Sequence, residues 1–306
     1  MDGKRSWTCT LVTQLCLCVA LYLALNIGEP QQQQPWQRLP RRPDDVIVFV
    51  TVRGGGFRPF QTQTHLLRQI EDVVRIYGAR FVVNFNELGE EDPLTRNASQ
   101  LFKSPSIPWY TTKASKGQEI ASCFKEHIKI DNRQTFNIIG LNTGSLLDLL
   151  LTESMNGSGD GQNWLGSTLE AANGSNWSIV VGYHPIIRFD ENHEHFESIN
   201  SAPETLHHIF VKYGVNAYLS TNACSNHTSR DGVDYIGIAG PDEHSDGPFL
   251  PNRKLGLGLD QQQQNGMADG FLLHRVTSLE MITYSISSEG KVLSRFVTQQ
   301  KGKAAI

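Results

Sequence analysis

The chain has 306 residues and a formal net charge of −4. Its 27 basic residues are scattered among 31 acidic ones, and this pattern gives no indication of a nucleic-acid partner. Five cysteines are too few for a disulfide scaffold. Only Cys123 and Cys224 lie beyond the N-terminal apolar stretch, and they can either form one bridge or remain buried thiols.

The N-terminus contains an uncharged, largely apolar segment that follows Lys4 and Arg5. As a helix, residues 9–28 are long enough to cross a bilayer, so we predict a short cytosolic N-terminus over residues 1–8 and a transmembrane signal anchor over 9–28. The alternative is a cleaved signal peptide, because the densest apolar part is also the length of a signal-peptide core. Both interpretations predict that the chain enters the secretory pathway. The first predicts a single-pass membrane protein with a lumenal or extracellular C-terminal domain, and the second predicts a secreted protein.

Asn-x-Ser/Thr sequons follow the apolar segment in sequence that is typical of loops. They predict a glycoprotein, in agreement with a lumenal location. The acceptors are Asn97, Asn156, Asn173, Asn176 and Asn226.

Residues 29–43 form a linker rich in Pro and Gln, and residues 44–306 form the folded domain. Val46–Val52 is a continuous apolar run of strand length, which predicts a strand buried on both faces. Apolar residues at helical spacing predict a helix over Thr64–Tyr77, with Gly78 as its C-cap. A second strand is predicted at Arg80–Phe85, so the two strands and the helix between them predict a parallel β-α-β unit.

The remaining pattern alternates strands and helices before it ends in a run of strands. This order predicts an α/β sandwich of two mixed β-sheets flanked by helices. Strands are predicted at Phe136–Leu141, Trp177–Gly182 and Val215–Leu219, helices at Trp164–Ala172 and Pro203–Tyr213, and antiparallel strands at Tyr235–Ala239, Gly270–Val276 and Glu280–Ser287.

The connecting sequence resembles the metallophosphoesterase (calcineurin-like) superfamily, and most closely the small purple acid phosphatases. The resemblance runs through the scaffold from about Val46 to Val297. It is carried by Ile76–Val83, Pro108–Tyr110, Trp177–Pro185, Tyr213–Leu219, Gly237–Gly240 and Leu279–Tyr284. It implies a sandwich fold with a site at the carboxyl ends of the strands.

Members of that superfamily use a dinuclear Fe, Zn or Mn centre to generate hydroxide and to hold the phosphoryl oxygens. The resemblance places other residues at the positions of its ligands and catalytic groups. At the positions of metal ligands, Gly54 stands in place of an Asp, Glu87 in place of the bridging Asp, Glu90 in place of a Tyr and Ser115 in place of an Asn. Tyr183 stands in place of a metal-binding His, and Asn222 and Cys224 stand in place of the final pair of His ligands. Lys116 stands in place of an acid-base His, and Asn192 in place of a His that faces the phosphate. His184 directly follows Tyr183, and His193 directly follows Asn192, so each lies one residue beyond a position where the family has a histidine.

No metal position keeps its family residue, so we expect no metal cofactor and no confident catalytic residue. We expect His184 to point away from the old site, because a one-residue shift at the end of a strand reverses the side chain. Glu87, Glu90, Glu91 and Asp92 form an acidic run, which is either a weak calcium site or an acidic surface loop.

Two functions from different classes agree with this sequence. The first is a lumenal pseudophosphatase that binds an unknown protein or phosphorylated ligand through the old cleft. The second is a divergent acid phosphatase with a site rebuilt from Glu87, His184, Asn222 and Cys224.

Overall fold

The computed structural model describes residues 11–19, 46–102, 107–114, 122–130, 135–156, 158–172, 174–187, 202–221, 227–238 and 270–300. The chain divides into two units, Met1–Leu39 and Pro40–Ile306. In the first unit, the described part of helix α1 covers residues 11–19, and its side chains are exposed. Among the residues described, no helix combines the length and the apolar character needed to cross a membrane. Most of the proposed anchor, residues 9–28, lies outside the described residues.

The second unit alternates strands and helices and then ends in strands. Its strands are β1 Ile47–Arg53, β2 Val82–Phe85, β3 Trp109–Thr111, β4 Ser122–Lys129, β5 Thr135–Leu141, β6 Trp177–Val181, β7 Ala217–Thr221, β8 His227–Arg230, β9 Val233–Ile238, β10 Phe271–Val276, β11 Glu280–Ile286 and β12 Val292–Gln299. Its helices are α2 Phe60–Tyr77, α3 Pro93–Leu101, α4 Thr143–Asn156, α5 Asp160–Glu170 and α6 Ala202–Lys212, with a short 3-10 helix at Gly89–Glu91.

The strands form two six-stranded sheets in the orders β12-β11-β10-β1-β2-β3 and β4-β5-β6-β7-β9-β8. In the first sheet β1, β2 and β3 are parallel, and the neighbouring pairs β1–β10, β10–β11 and β11–β12 are antiparallel. In the second sheet β5, β6, β7 and β9 are parallel, with antiparallel β4 and β8 at the edges. The predicted α/β sandwich of two mixed sheets is confirmed.

One hydrophobic core fills the space between the two sheets. It includes Phe49 and Val83 from the first sheet and Phe136 and Ile179 from the second, all almost completely buried. A second core lies between the outer face of the second sheet and helices α4, α5 and α6. Both faces of the second sheet are therefore buried, which explains why its parallel strands appear as continuous apolar runs.

Several sequence predictions are confirmed at the level of single elements. β1 is buried along almost its whole length. Gly78 ends α2 in the left-handed conformation (φ 63°), and its N–H donates to the Val74 carbonyl oxygen. The hairpin of β10 and β11 turns where predicted, around Thr277.

Other predictions differ from the structure. Helix α2 begins at Phe60 rather than Thr64, and its first turn escaped the prediction because Gln61, Thr62 and Gln63 interrupt the apolar spacing. β9 was predicted among antiparallel strands, but it pairs parallel with β7 and antiparallel with β8. Apolar alternation reports which face of a strand is buried and carries no information about strand direction. Helices α3 and α4 and strands β3, β4, β8 and β12 were not predicted.

His274 is a fully buried histidine on the inner face of β10. It lies between the hydroxyl oxygens of Thr51 and Thr283, at 2.9 and 2.8 Å, and its ring stacks on Phe49 with 4.4 Å between centroids. Burial lowers the pKa of His274 to about 3, because the apolar core disfavours the imidazolium form. The imidazole is therefore neutral in the folded protein.

This burial predicts a loss of stability in acid. Above about pH 6.5 neither the folded nor the unfolded state protonates this group, so its stabilising contribution is complete. As the pH falls from about 6.5 toward 3, only the unfolded state binds the proton, and the free energy of unfolding decreases by up to about 1.4 kcal/mol per pH unit. Urea unfolding at several pH values measures this slope.

The control for this experiment is a pair of substitutions. His274→Gln keeps hydrogen-bonding atoms between the threonines but does not titrate, so we expect a shallower slope. Ile47→Val, in the same core, removes a methylene group but no titratable group, so it should lower the free energy of unfolding at every pH and leave the slope unchanged. A His274→Gln variant with the wild-type slope would contradict the assignment.

Candidate functional site

The carboxyl ends of the parallel strands of both sheets meet on one side of the sandwich. Lys113, which follows β3, forms an isolated bridge with Leu88 beyond β2 and another with Asn142 beyond β5. These two bridges join the ends of the two sheets through the backbone of one residue. Ligands of open α/β sheets bind at this kind of edge, so we take it as the candidate site.

Gly54 directly follows β1, and the atoms around it leave no room for a side chain. Its N–H donates to the Phe85 carbonyl oxygen at 2.7 Å. A Cβ atom on Gly54 would lie 2.7 Å from the Cβ of Asn86 and 2.7 Å from Oδ1 of Asp92. The position at which the superfamily resemblance expects a metal-binding Asp is therefore occupied by the neighbouring side chains.

The Asp92 carboxylate is the centre of this packing. The residue is only 2% exposed, and it caps α3 by accepting hydrogen bonds from the backbone N–H groups of Leu94 and Thr95, at 2.9 and 3.3 Å. It also accepts the N–H of Gly55 at 3.1 Å and Nδ2 of Asn84 at 2.8 Å. One buried carboxylate thus connects the loop after β1, strand β2 and the first turn of α3, and its negative charge is stabilised by four donors.

The acidic run does not form a single cluster. Glu87 and Glu90 are exposed, and Glu91 makes an ion pair with Arg96, whereas Asp92 is buried in its hydrogen bonds. Within the described ranges there is no group of three or more His, Cys, Asp or Glu side chains placed to hold a metal ion. Of the two interpretations of this run, the exposed surface loop fits Glu87, Glu90 and Glu91, and neither anticipates the buried role of Asp92.

Tyr183 and His184 follow β6 at the same edge. The half-buried Tyr183 packs against the core between the sheets, and its carbonyl oxygen accepts hydrogen bonds from Thr221. The His184 ring lies with Nδ1 2.8 Å from the Thr143 hydroxyl oxygen, which also accepts the His184 N–H at 3.2 Å. The Tyr218 hydroxyl donates to the His184 carbonyl oxygen. His184 is therefore held against Thr143, the first residue of helix α4.

The other predicted site residues lie outside the described residues. These are Ser115, Lys116, Asn192, His193, Asn222 and Cys224. The same holds for the sequons at Asn173 and Asn226, and for the side chain of Cys123.

Of the remaining sequons, two lie in helices rather than in the expected loops. Asn97 is in α3, where its Nδ2 donates to Oε1 of Gln63 at 2.8 Å, and Asn156 is the last residue of α4. Asn176 lies just before β6, and its Oδ1 accepts the N–H of Thr135. Whether these side chains carry glycans stays a prediction.

Sequence reasoning missed two residues that shape this edge, Asp92 and Lys113. A signal for Asp92 was present, because Asp-Pro followed by apolar spacing is a typical helix start, with the Asp as N-cap and the Pro at the first helical position. No sequence signal marks Lys113, because its role depends on backbone pairing with two distant segments.

A dinuclear metal centre does not fit the described residues of this edge. Gly54 offers no ligand atom, and Asp92 directs its oxygens at N–H donors. Tyr183 stands at a histidine position with its ring on the core. The exposed carboxylates of Glu87 and Glu90 are left without histidine partners in the described part of the chain.

Comparison with known proteins gives matches at the level of structure. The sequence matches no protein-family model, and it matches no curated protein. The structure is similar to GAP50, the anchor in the inner membrane complex of Plasmodium, with a TM-score of 0.57 and 15% identity over 85% of this chain and 90% of that one. PhoD is similar with a TM-score of 0.46 and 10% identity, over 86% of this chain and 71% of that one. A conserved protein of Streptococcus pneumoniae described as a phosphoesterase gives 0.37 and 6%, over 83% and 98%.

The sheet orders, the site edge and the similarity to GAP50 agree with the resemblance seen in the scaffold sequence. The chain has an α/β sandwich of two mixed six-stranded sheets, which is the fold that this resemblance implies. At these identities the similarity shows the fold and leaves the chemistry to be argued from the residues of the edge.

The crowding at Gly54 predicts that a single substitution will not restore a metal ligand. In Gly54→Asp the new Cβ meets Asn86 and Asp92, and a second carboxylate is placed beside the buried one. We expect a loss of about 2–4 kcal/mol in the free energy of unfolding, measured by urea denaturation, without any gain in bound Mn or Zn. The matched control is Gly56→Asp, because a Cβ at Gly56 meets nothing within 4 Å. Equal stability of the two variants would contradict this account.

Proposed function

We propose that this chain is a purple-acid-phosphatase-like pseudophosphatase, which lacks the dinuclear metal site and acts by binding at the former catalytic edge. The observation that carries the proposal is the packing at Gly54, where the hydrogen-bonded Asp92 carboxylate and Asn86 fill the space of a ligand side chain. Loss of one ligand weakens a metal site, but the loss of its space and of its histidines removes both the nucleophile and the clamp for phosphoryl oxygens.

The residues around this edge are suited to binding. Phe57 lies in the loop after β1, and the guanidinium groups of Arg53 and Arg58 stand 5.3 and 4.1 Å from its ring centroid. Phe60 and Leu88 are exposed by 64% and 59% close in sequence to the ends of β1 and β2. Aromatic and arginine side chains are enriched among residues that dominate protein interfaces.

Basic side chains at the same edge, beside the exposed carboxylates of Glu87 and Glu90, offer contacts to a phosphorylated or otherwise acidic ligand. Lys113 is exposed where the two sheets meet, and Arg53 is half-exposed at the end of β1. Arg58 is buried and holds the loop, since its Nη1 donates to the carbonyl oxygens of Arg53 and Gly54, both at 2.7 Å. The proposed ligand is therefore a protein partner or a phosphorylated molecule that is bound and not hydrolysed.

We further propose a lumenal location with the N-terminal segment as membrane anchor. The uncharged segment that includes residues 11–19 and the sequons after it support this location. GAP50 has the same fold and is an anchor in a membrane complex, which supports a role in binding rather than in catalysis. A secreted form, released by a signal peptidase, is the alternative within the same proposal.

A direct test measures metal content and phosphatase activity together. The full chain, produced in a secretory host and purified without chelator, is analysed for Fe, Zn and Mn and assayed with p-nitrophenyl phosphate from acid to neutral pH. The proposal expects less than about a tenth of an equivalent of metal and no turnover above the blank, because the described donors do not form a site. A purple acid phosphatase prepared in the same way is the positive control.

The opposite result identifies the second function, a divergent phosphoesterase. One or two equivalents of metal, with turnover abolished by Glu87→Ala or Cys224→Ala, would show that the site has been rebuilt from these residues. Glu280→Ala, on the distant strand β11, is a suitable control because it removes a carboxylate away from the edge. Turnover that survives Glu87→Ala and Cys224→Ala but copurifies with the metal would also overturn the pseudophosphatase assignment.

A further inference from the structure

Strand β4 is an edge strand with an alternating polar pattern, and it lies apart from the residues assigned above. Among the strands that the structure describes, β4 pairs antiparallel with β5 on one side and has no neighbour in its sheet on the other. Phe124, Glu126 and Ile128 are half-buried, whereas the alternate residues Lys125, His127 and Lys129 are exposed. The exposed set forms one basic strip along the strand, and we name it the β4 strip.

The inward face of β4 fixes the position of the strand. The ring of Phe124 stacks on Tyr110 of β3 with 4.6 Å between centroids, and Oε1 of Glu126 accepts the Tyr110 hydroxyl at 2.5 Å. Phe124 and Ile128 pack against the core between the sheets. The β4 strip therefore belongs to a supported strand, whose outer face is presented in a defined direction.

The outward face carries positive charge that the described residues do not neutralise. Neither Lys125 nor Lys129 makes an ion pair with any acidic side chain in the described ranges. Nδ1 of His127 donates to Oδ1 of Asn137, because Nδ2 of the same amide donates to the Ala172 carbonyl oxygen. The ring is thus held against the sheet by β5, and it stands between the two lysines without an acidic partner.

Lysines on an edge strand prevent two copies of that edge from pairing, because like charges at opposite positions repel. The same charges favour a strand of opposite sign, since opposite charges at facing positions stabilise a pair of strands. We propose that β4 binds an extended acidic peptide, with Asp or Glu at alternate positions, which adds as a further strand and sets these side chains against the β4 strip. Main-chain hydrogen bonds along the open edge supply affinity, and the alternation of charge supplies selectivity.

The experiment measures fluorescence anisotropy of a labelled peptide of alternating Glu and Val as the full chain is added. We expect saturable binding that weakens at 0.5 M NaCl, because the facing charges are exposed to solvent. A peptide of alternating Lys and Val should not bind. Lys125→Glu combined with Lys129→Glu should weaken binding of the Glu peptide by about tenfold or more and should gain binding of the Lys peptide.

Lys212→Glu is the matched control, because this exposed lysine lies at the end of helix α6 and not on an edge strand. It should leave both peptides unaffected, and far-UV circular dichroism checks that each variant is folded. Failure of the Glu peptide to bind, or equal binding by the charge-reversed chain, overturns the proposal. Binding of phosphatidylserine vesicles through Lys125 and Lys129 in the absence of peptide binding also overturns it, because a membrane surface would then be the partner.

Discussion

The buried carboxylate of Asp92 is the constraint on which the candidate site depends. A carboxylate with 2% exposure is costly unless its oxygens are hydrogen-bonded, and here the donors come from three separate segments. The loop after β1 must approach α3 closely so that the Gly55 N–H reaches Asp92. That approach leaves no room for a side chain at Gly54, so the geometry of the edge follows from one satisfied charge.

The two-sheet sandwich fixes the positions of the strand ends at this edge, and it would do so whether or not the edge carried catalytic residues. The core between the sheets fixes the strand ends, and the two bridges of Lys113 join the sheets where those ends meet. At the opposite end, Nε1 of Trp177 donates to the Thr277 carbonyl oxygen and connects the second sheet to the hairpin of the first. The scaffold is therefore separable from the chemistry, which explains how a fold persists while its ligand positions change.

Much of the fold was predictable from the sequence, because buried strands and amphipathic helices leave periodic apolar patterns. The direction of β9 was not predictable in this way, since parallel and antiparallel strands share the same alternation. At Gly54 and Tyr183 the sequence indicated only that the resemblance expects other residues at these positions. The contacts that replace them, of Asp92 with Asn84 and of His184 with Thr143, join residues distant in the chain or in other elements, and such pairing leaves no local pattern.

The packing at Gly54 also has an evolutionary consequence. A chain that carries an Asp at this position must keep the Asp92 side chain elsewhere, and a chain that has Asp92 in its present place must keep position 54 free of a side chain. The two arrangements are separated by intermediates that are either overcrowded or lack the cap of α3. Once the buried cap is established, a carboxylate at position 54 requires coordinated changes at both positions, so the cap restricts which substitutions position 54 can accept.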